Sequence, residues 1–345
     1  MSISLRGKML IGASTVFKKV TSSVNPSNKR LDVINNIMNI IPGPFLLNRV
    51  VEPFELIPTY NYKNKIQITG DVVYKNNQSI KDADSIIFYI HGGAFLLSDH
   101  KRARFMTSNL CKHSESPVVS FDYRFGHNYP FPYALMDTIQ VYKWFINKYD
   151  VDQKKIVIMG DSAGGNLSVA LLTLICLENL GHDTMKVLIT KSISELLVPI
   201  CQDPDMTNRP KGLVLISPWL DLTQNNESYS TNANKDTLLP PEWIPYAAKT
   251  YLGQDLLDPH FLASPHNLPI DLLKYFPPTL IHVCENEMLL DDSKNLANNI
   301  PNDVSLRIFP PLPHVFHLAG RYIPESREAI IEIAEFVKKL DVCDL

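Results

Sequence analysis

A serine sits between two glycines in Gly160-Asp161-Ser162-Ala163-Gly164, after the apolar run KIVIMG and before a stretch of helical period. A serine hydroxyl is a weak nucleophile at neutral pH and needs a base within hydrogen-bond reach. A strained strand-to-helix turn can project such a serine alone, with the positive end of the following helix beneath it. Gly160 and Gly164 suit that turn, because neighbouring chain then comes too close for side chains. The expected chemistry is nucleophilic attack by Ser162 on a carbonyl carbon.

Histidine is the side chain whose proton affinity suits the base. In the chain order nucleophile, acid, base, it should come late. After VSLRIFP the chain reads Pro-Leu-Pro-His314-Val315-Phe316-His317. His314, first on that loop, is the expected base, and His317 stands about one helical turn on. A carboxylate is needed to fix the imidazole's tautomer. The stretch Cys284-Glu285-Asn286-Glu287-Met288-Leu289-Leu290-Asp291-Asp292 offers several. Glu287, three residues past an apolar run, is the preferred acid, and Asp291 is the alternative.

The attack also makes an oxyanion, which needs donors already in place. SIIFYI runs straight into His91-Gly92-Gly93-Ala94-Phe95. Two glycines after a good strand let backbone approach a ligand closely. Gly92, Gly93 and the amide of Ala163 are therefore the expected oxyanion donors.

These residues need a scaffold that brings distant loops together. Short apolar runs (SIIFYI, PVVSFDY, KIVIMG, GLVLISP, PTLIHVC, VSLRIFP) alternate with helical stretches near 100–114, 131–148, 163–180 and 324–340. That alternation predicts a mostly parallel sheet with helices on both faces. A hairpin turning at Gly70, between about 65–69 and 71–75, is expected at its edge. Three regions break the pattern: 1–60, with a helical stripe from Leu31 to Ile41; 182–210, with another from Met185 to Ile200; and the Pro- and aromatic-rich 223–274. The chain thus reads as an N-terminal cap or targeting-like segment, 1–60, and a catalytic domain, 61–345, with insertions at 182–210 and 223–274. Phe95 and Trp219, with Trp243 and Tyr246, are candidate pocket walls.

Composition narrows the partners. Lys and Arg number 33 against 36 acidic residues, so no basic excess suits a nucleic acid. The five cysteines are odd in number and lack any CxxC or zinc-ligand spacing, which points to free thiols, no metal and a reducing, intracellular compartment, the cytoplasm. No apolar run approaches the ~20 residues of a membrane span. Met1 to Arg30, however, holds six basic residues and no acidic one, as a targeting segment or a membrane-surface helix would.

The two motifs, HGGAF and GDSAGGN, with FDYRFGHNYPFPYALMD (121–137), ISPWLDLT (216–223) and DPHFLASP (258–265), resemble the hormone-sensitive-lipase-like branch of the α/β-hydrolase superfamily. The resemblance covers nearly all of 60–340. It implies an α/β-hydrolase fold with a helical cap and a cofactor-free serine hydrolase of small-molecule carboxylic esters, with Ser162, His314, Gly92, Gly93 and Ala163 in the roles above. Many relatives have D-P-L-x-D where this chain has Glu287 to Asp291, which leaves the acid open. Acyl transfer and amide or formamide hydrolysis could use the same groups. A non-catalytic small-molecule receptor is the alternative outside enzymology, and the presence of His314 argues against it.

Overall fold

The computed structural model describes residues 3–22, 49–57, 67–178, 208–253 and 259–342. Eight strands form one sheet: β1 (Arg49–Leu56), β2 (Ile68–Lys75), β3 (Ile86–Ile90), β4 (Val118–Phe121), β5 (Ile156–Asp161), β6 (Gly212–Ile216), β7 (Thr279–Cys284) and β8 (Val304–Phe309). Their spatial order is β1-β2-β4-β3-β5-β6-β7-β8. β1 and β2 pair antiparallel, as do β2 and β4, and all later neighbours are parallel.

The central strands are buried throughout and mostly apolar because both faces are covered, as parallel sheets require. Every residue of β3 is buried. Ile86, Phe88 and Ile90 pack on one side, where α3 (Tyr133–Tyr149) and α4 (Ala163–Glu178) lie. Ile87 and Tyr89 pack on the other, under α2 (Arg104–Ser114) and α7 (Pro324–Val342). β8, at the sheet's edge, has three of its six residues exposed, including Ile308. The expected mostly parallel α/β sheet is the observed one.

Gly70 is not the turn of a hairpin. β2 runs straight through it, and Gly70 pairs across the sheet with Phe54 of β1. A Cβ there would meet Phe54 Cζ at 2.4 Å and the carbonyl oxygen of Ser120 at 2.5 Å. The glycine serves close packing rather than a reversal of direction. The sheet consequently begins at Arg49, inside the segment 1–60 that the sequence assigns to a cap. The stripes Leu31–Ile41 and Met185–Ile200 lie outside the described residues.

Helix α1 (Leu5–Ser22) is fastened at both ends. At its start, the Gly7 amide donates to Ser4 Oγ (3.0 Å), and Glu325 accepts from the Ser4 amide (2.6 Å) and hydroxyl (2.9 Å). This resembles a capping box whose acid comes from another helix. Near its end, Lys18 Nζ donates to the carbonyls of Ala233 (2.6 Å) and Asp236 (2.7 Å), and Trp243 Nε1 donates to that of Thr21 (3.2 Å). Trp243 opens α5 (Trp243–Leu252), so α1 is joined to the region that breaks the strand–helix alternation.

Candidate active site

The loops that follow β3, β5, β6, β7 and β8 leave the sheet at the carboxyl ends of parallel strands, the usual ligand-binding edge of such sheets. The register sets them side by side: Ile90 is level with Gly160, Asp161 with Ile216, and Cys284 with Phe309.

Ser162 occupies the turn between β5 and α4 with φ of +53°, a left-handed conformation that side chains rarely adopt. The turn persists because its surroundings hold it. The Ser162 amide donates to the Ile216 carbonyl (2.9 Å), and the Ser162 carbonyl accepts from the amides of Trp219 (3.0 Å) and Asn166 (3.2 Å). A Cβ on Gly160 would fall 2.3 Å from the Gly164 carbonyl oxygen, and one on Gly164 would fall 2.1 Å from that of Ile90. The motif's glycines are therefore dictated by contact with neighbouring backbone.

His314 lies on the loop after β8, and its Nδ1 is 2.6 Å from Glu287 Oε2. The other carboxylate oxygen, Oε1, accepts from Ser217 Oγ (2.8 Å) and the Cys284 amide (2.7 Å). Glu287 is fully buried, so these donors replace the water it gives up. Burial disfavours the imidazolium of His314, but the adjoining Glu287 carboxylate outweighs it and holds the histidine above its ordinary pKa.

Asp291 sits elsewhere: it opens α6 (Leu290–Asn299), accepts from the Ser228 amide (2.8 Å) and lies 3.6 Å from Lys294. His317 is likewise separate, with Nε2 3.1 Å from His282 Nδ1. Burial holds both of these histidines below the usual range, His282 at about 3.

Ser162, His314, Gly92 and Gly93 line one cavity of about 220 Å³. Its walls are apolar, built from Phe17 and Thr21 of α1, from Leu96 and Leu97, and from Trp243 and Ile244 of α5. Phe95 and Trp219 are not among them. Both are fully buried behind the turn, where Phe95 stacks on Tyr251 at 3.6 Å between ring centroids and lies 5.8 Å from Trp219. The reason is local: Gly93, Ala94 and Phe95 all have positive φ, and the reversal packs Phe95 into the core. Tyr246 packs edge-on against Trp243 rather than lining the cavity.

The two glycines after β3 differ in what they do. The amide of Gly92 donates to Asp161 Oδ1 (3.0 Å), so that amide is engaged within the protein. A Cβ on Gly92 would lie 2.3 Å from Asp161 Oδ2. Asp161 also accepts from Tyr89 Oη, and its burial pushes its pKa up. Gly93 has φ of +118°, and a Cβ there would strike the Leu97 carbonyl oxygen at 1.9 Å. Gly92 thus makes room for a buried carboxylate, and Gly93 makes the bend.

Sequence reasoning passed over Ser217, Asp161 and Asp236. Ser217 directly follows β6, beside the acid's turn, a position visible only once the order of the strands is known. Asp236 is buried in the irregular region and accepts from the Leu238 (2.9 Å), Leu239 (3.0 Å) and Met288 (3.1 Å) amides. Burial, then the charge of Glu287, raises its pKa. Asn232 Nδ2 donates to the Glu287 carbonyl (2.9 Å), so the acid's turn is held from the same segment.

A sequence model described as the alpha/beta hydrolase fold matches residues 87–318. An esterase of Acinetobacter venetianus is 31% identical over 311 residues, spanning 88% of this chain and 91% of that protein. The crystal structure of an esterase from the bacterial hormone-sensitive lipase family superposes with a TM-score of 0.74 at 25% identity, covering 99% of this chain and 100% of that one. The esterase EstE5, soaked with p-nitrophenyl butyrate, superposes with a TM-score of 0.72 at 26% identity, covering 95% of this chain and 99% of that one.

Proposed function

From the premise that the chain belongs to the α/β-hydrolase family, among the esterases and lipases of the hormone-sensitive lipase type, and is by that homology a hydrolase, we propose that it cleaves carboxylic esters with Ser162, His314 and Glu287. The observation that carries this reading is the 2.6 Å contact between His314 Nδ1 and a fully buried Glu287, in a cavity that His314 shares with Ser162.

The groups act in sequence. Ser162 Oγ attacks the ester carbonyl while its proton passes to His314 Nε2, and Glu287 stabilises the imidazolium through Nδ1–H. Collapse of the tetrahedral adduct expels the alcohol, which takes the proton from His314. Water, deprotonated by the same imidazole, then releases the acid and restores Ser162. With the Gly92 amide engaged by Asp161, the oxyanion donors are Gly93 and Ala163, joined by Ala94 on the cavity wall. The Ala163 amide is the first of a helix and has no partner within it. Each such donor is worth on the order of 3 kcal/mol in the transition state. The apolar walls favour an apolar acyl or alcohol group, and a p-nitrophenyl butyrate ester of the kind soaked into EstE5 is a fitting first substrate.

A fluorophosphonate tests the reading directly. It should label Ser162, and Ser162→Ala should lose both labelling and hydrolysis of p-nitrophenyl butyrate while keeping its thermal melting. Labelling at another residue, or normal turnover by the variant, would refute it.

A further inference from the structure

Helix α1 has an apolar outer face that its packing against the protein does not explain. The residues it buries are Gly7, Ser14 and Thr21, small and seven apart. Leu10 and Ile11 pack half-buried against the core, but four other large aliphatic residues face out: Leu5 is 71% exposed, Met9 64%, Val16 63% and Val20 60%. With 3.6 residues per turn, these four fall within about 60° of one another around the axis. They form a single strip along the outside of the helix. Gly12, bordering the strip, has open space where a Cβ would be.

Charge says what could cover that strip. Exposed Lys8 and Lys19 flank it on one side and Arg6 on the other, and the helix has no acidic residue. Pairing with a second copy across a two-fold axis would bring these like-charged rows together. An anionic lipid surface would satisfy both features, with aliphatic side chains at the acyl boundary and cations among the headgroups. Among the described residues no helix is long and apolar enough to cross a membrane, so the contact would lie in the interface plane. We propose that the outer face of α1 docks on anionic lipid bilayers. The same helix supplies Phe17 and Thr21 to the wall of the cavity that Leu318, 42% exposed, also lines. Docking therefore sets one wall of the site against the lipid boundary.

The test reads binding rather than turnover, so it stands apart from the hydrolase reading. The full chain is sedimented with vesicles of phosphatidylcholine alone and of phosphatidylcholine mixed with phosphatidylglycerol. It should pellet with the mixed vesicles only, and high salt should weaken that binding by about tenfold or more through screening. Leu5→Gln, Met9→Gln, Val16→Gln and Val20→Gln combined should weaken it similarly, while hydrolysis of soluble p-nitrophenyl butyrate is unchanged. Failure of the unmodified chain to pellet, or equal binding by the variant, would overturn the proposal. So would a dimer in size-exclusion chromatography that the variant abolishes, which would make the strip a contact between copies. A fall in the variant's melting temperature would also overturn it, by showing that the chain itself covers the strip.

Discussion

The turn after β7 and the first turn of α6 lie next to each other in the chain, and each presents a buried carboxylate. Glu287 and Asp292 are equally hidden, at 0% and 1% exposure. Their partners differ. Glu287 faces a histidine that can become a cation, with Ser217 and the Cys284 amide behind it. Asp292 faces only neutral donors: the Leu220 (2.7 Å) and Asp221 (2.9 Å) amides, Asn226 Nδ2 (2.8 Å) and Tyr229 Oη (3.0 Å). Burial without a cation pushes Asp292 up to about 7. Depth of burial therefore does not distinguish an acid that serves chemistry from one that holds a loop. What the carboxylate faces does.

Substitution by the amide separates the two most sharply. Glu287→Gln should lower kcat by roughly three to four orders of magnitude, the scale seen when a triad acid becomes an amide. Asp292→Asn should leave kcat per folded molecule almost unchanged and lower stability by about 1–3 kcal/mol, because one buried donor then faces an NH2 group. Steady-state kinetics with the folded fraction from thermal melting would collapse the distinction if the large kinetic loss fell on Asp292. Ser217→Ala should cost less than Glu287→Gln, about tenfold in kcat, since it removes one of three partners of the acid. An unchanged rate would make that hydroxyl a packing contact only.

The pH dependences should also diverge. His314 is held above its ordinary value of 6.5 and must be neutral to accept a proton, so kcat/KM should rise with pH through an apparent pKa above 6.5. Without the carboxylate, burial dominates, and the residual activity of Glu287→Gln should titrate lower. Asp292 has the opposite kind of signature. Its folded pKa of about 7 lies above the ordinary aspartate value of 3.8, so the folded chain keeps this proton longer than the unfolded one. Its contribution to stability is complete below about pH 4 and declines as pH rises to about 7. The melting-temperature gap between the unmodified chain and Asp292→Asn should narrow over that interval, and a widening gap would contradict the assignment. The smallest effect is expected at His317→Ala, which removes a partner of His282 outside the cavity and should leave kcat within about twofold.

Much of the site was legible because its signals are local. A strand, a glycine-flanked serine and a helix specify the Ser162 turn within a dozen residues, and strand order places Glu287 and His314 on adjacent loops. What escaped depends on contacts between distant parts of the chain. Gly92 reads as an oxyanion donor until the Asp161 carboxylate, 69 residues away, is seen on its amide. Gly70 reads as a turn because glycine marks turns and tight packing alike, and only Phe54 on the neighbouring strand decides between them. Phe95 and Trp219 have the composition of pocket walls, but three successive positive φ angles aim Phe95 into the core, a reversal that no pattern of hydrophobicity records.

The fastening of α1 has a consequence in time. Its anchors are Ala233, Asp236, Trp243 and Glu325, all translated long after it. Ser4 and Glu325 are separated by 321 residues, which at ~5–20 residues per second is roughly 16–64 s of elongation. Throughout that interval α1 has emerged without its complete seat. The Ala233, Asp236 and Trp243 anchors precede β7, but Glu325 follows the sheet's last strand, so the wall of the cavity that is synthesised first is fully fastened last.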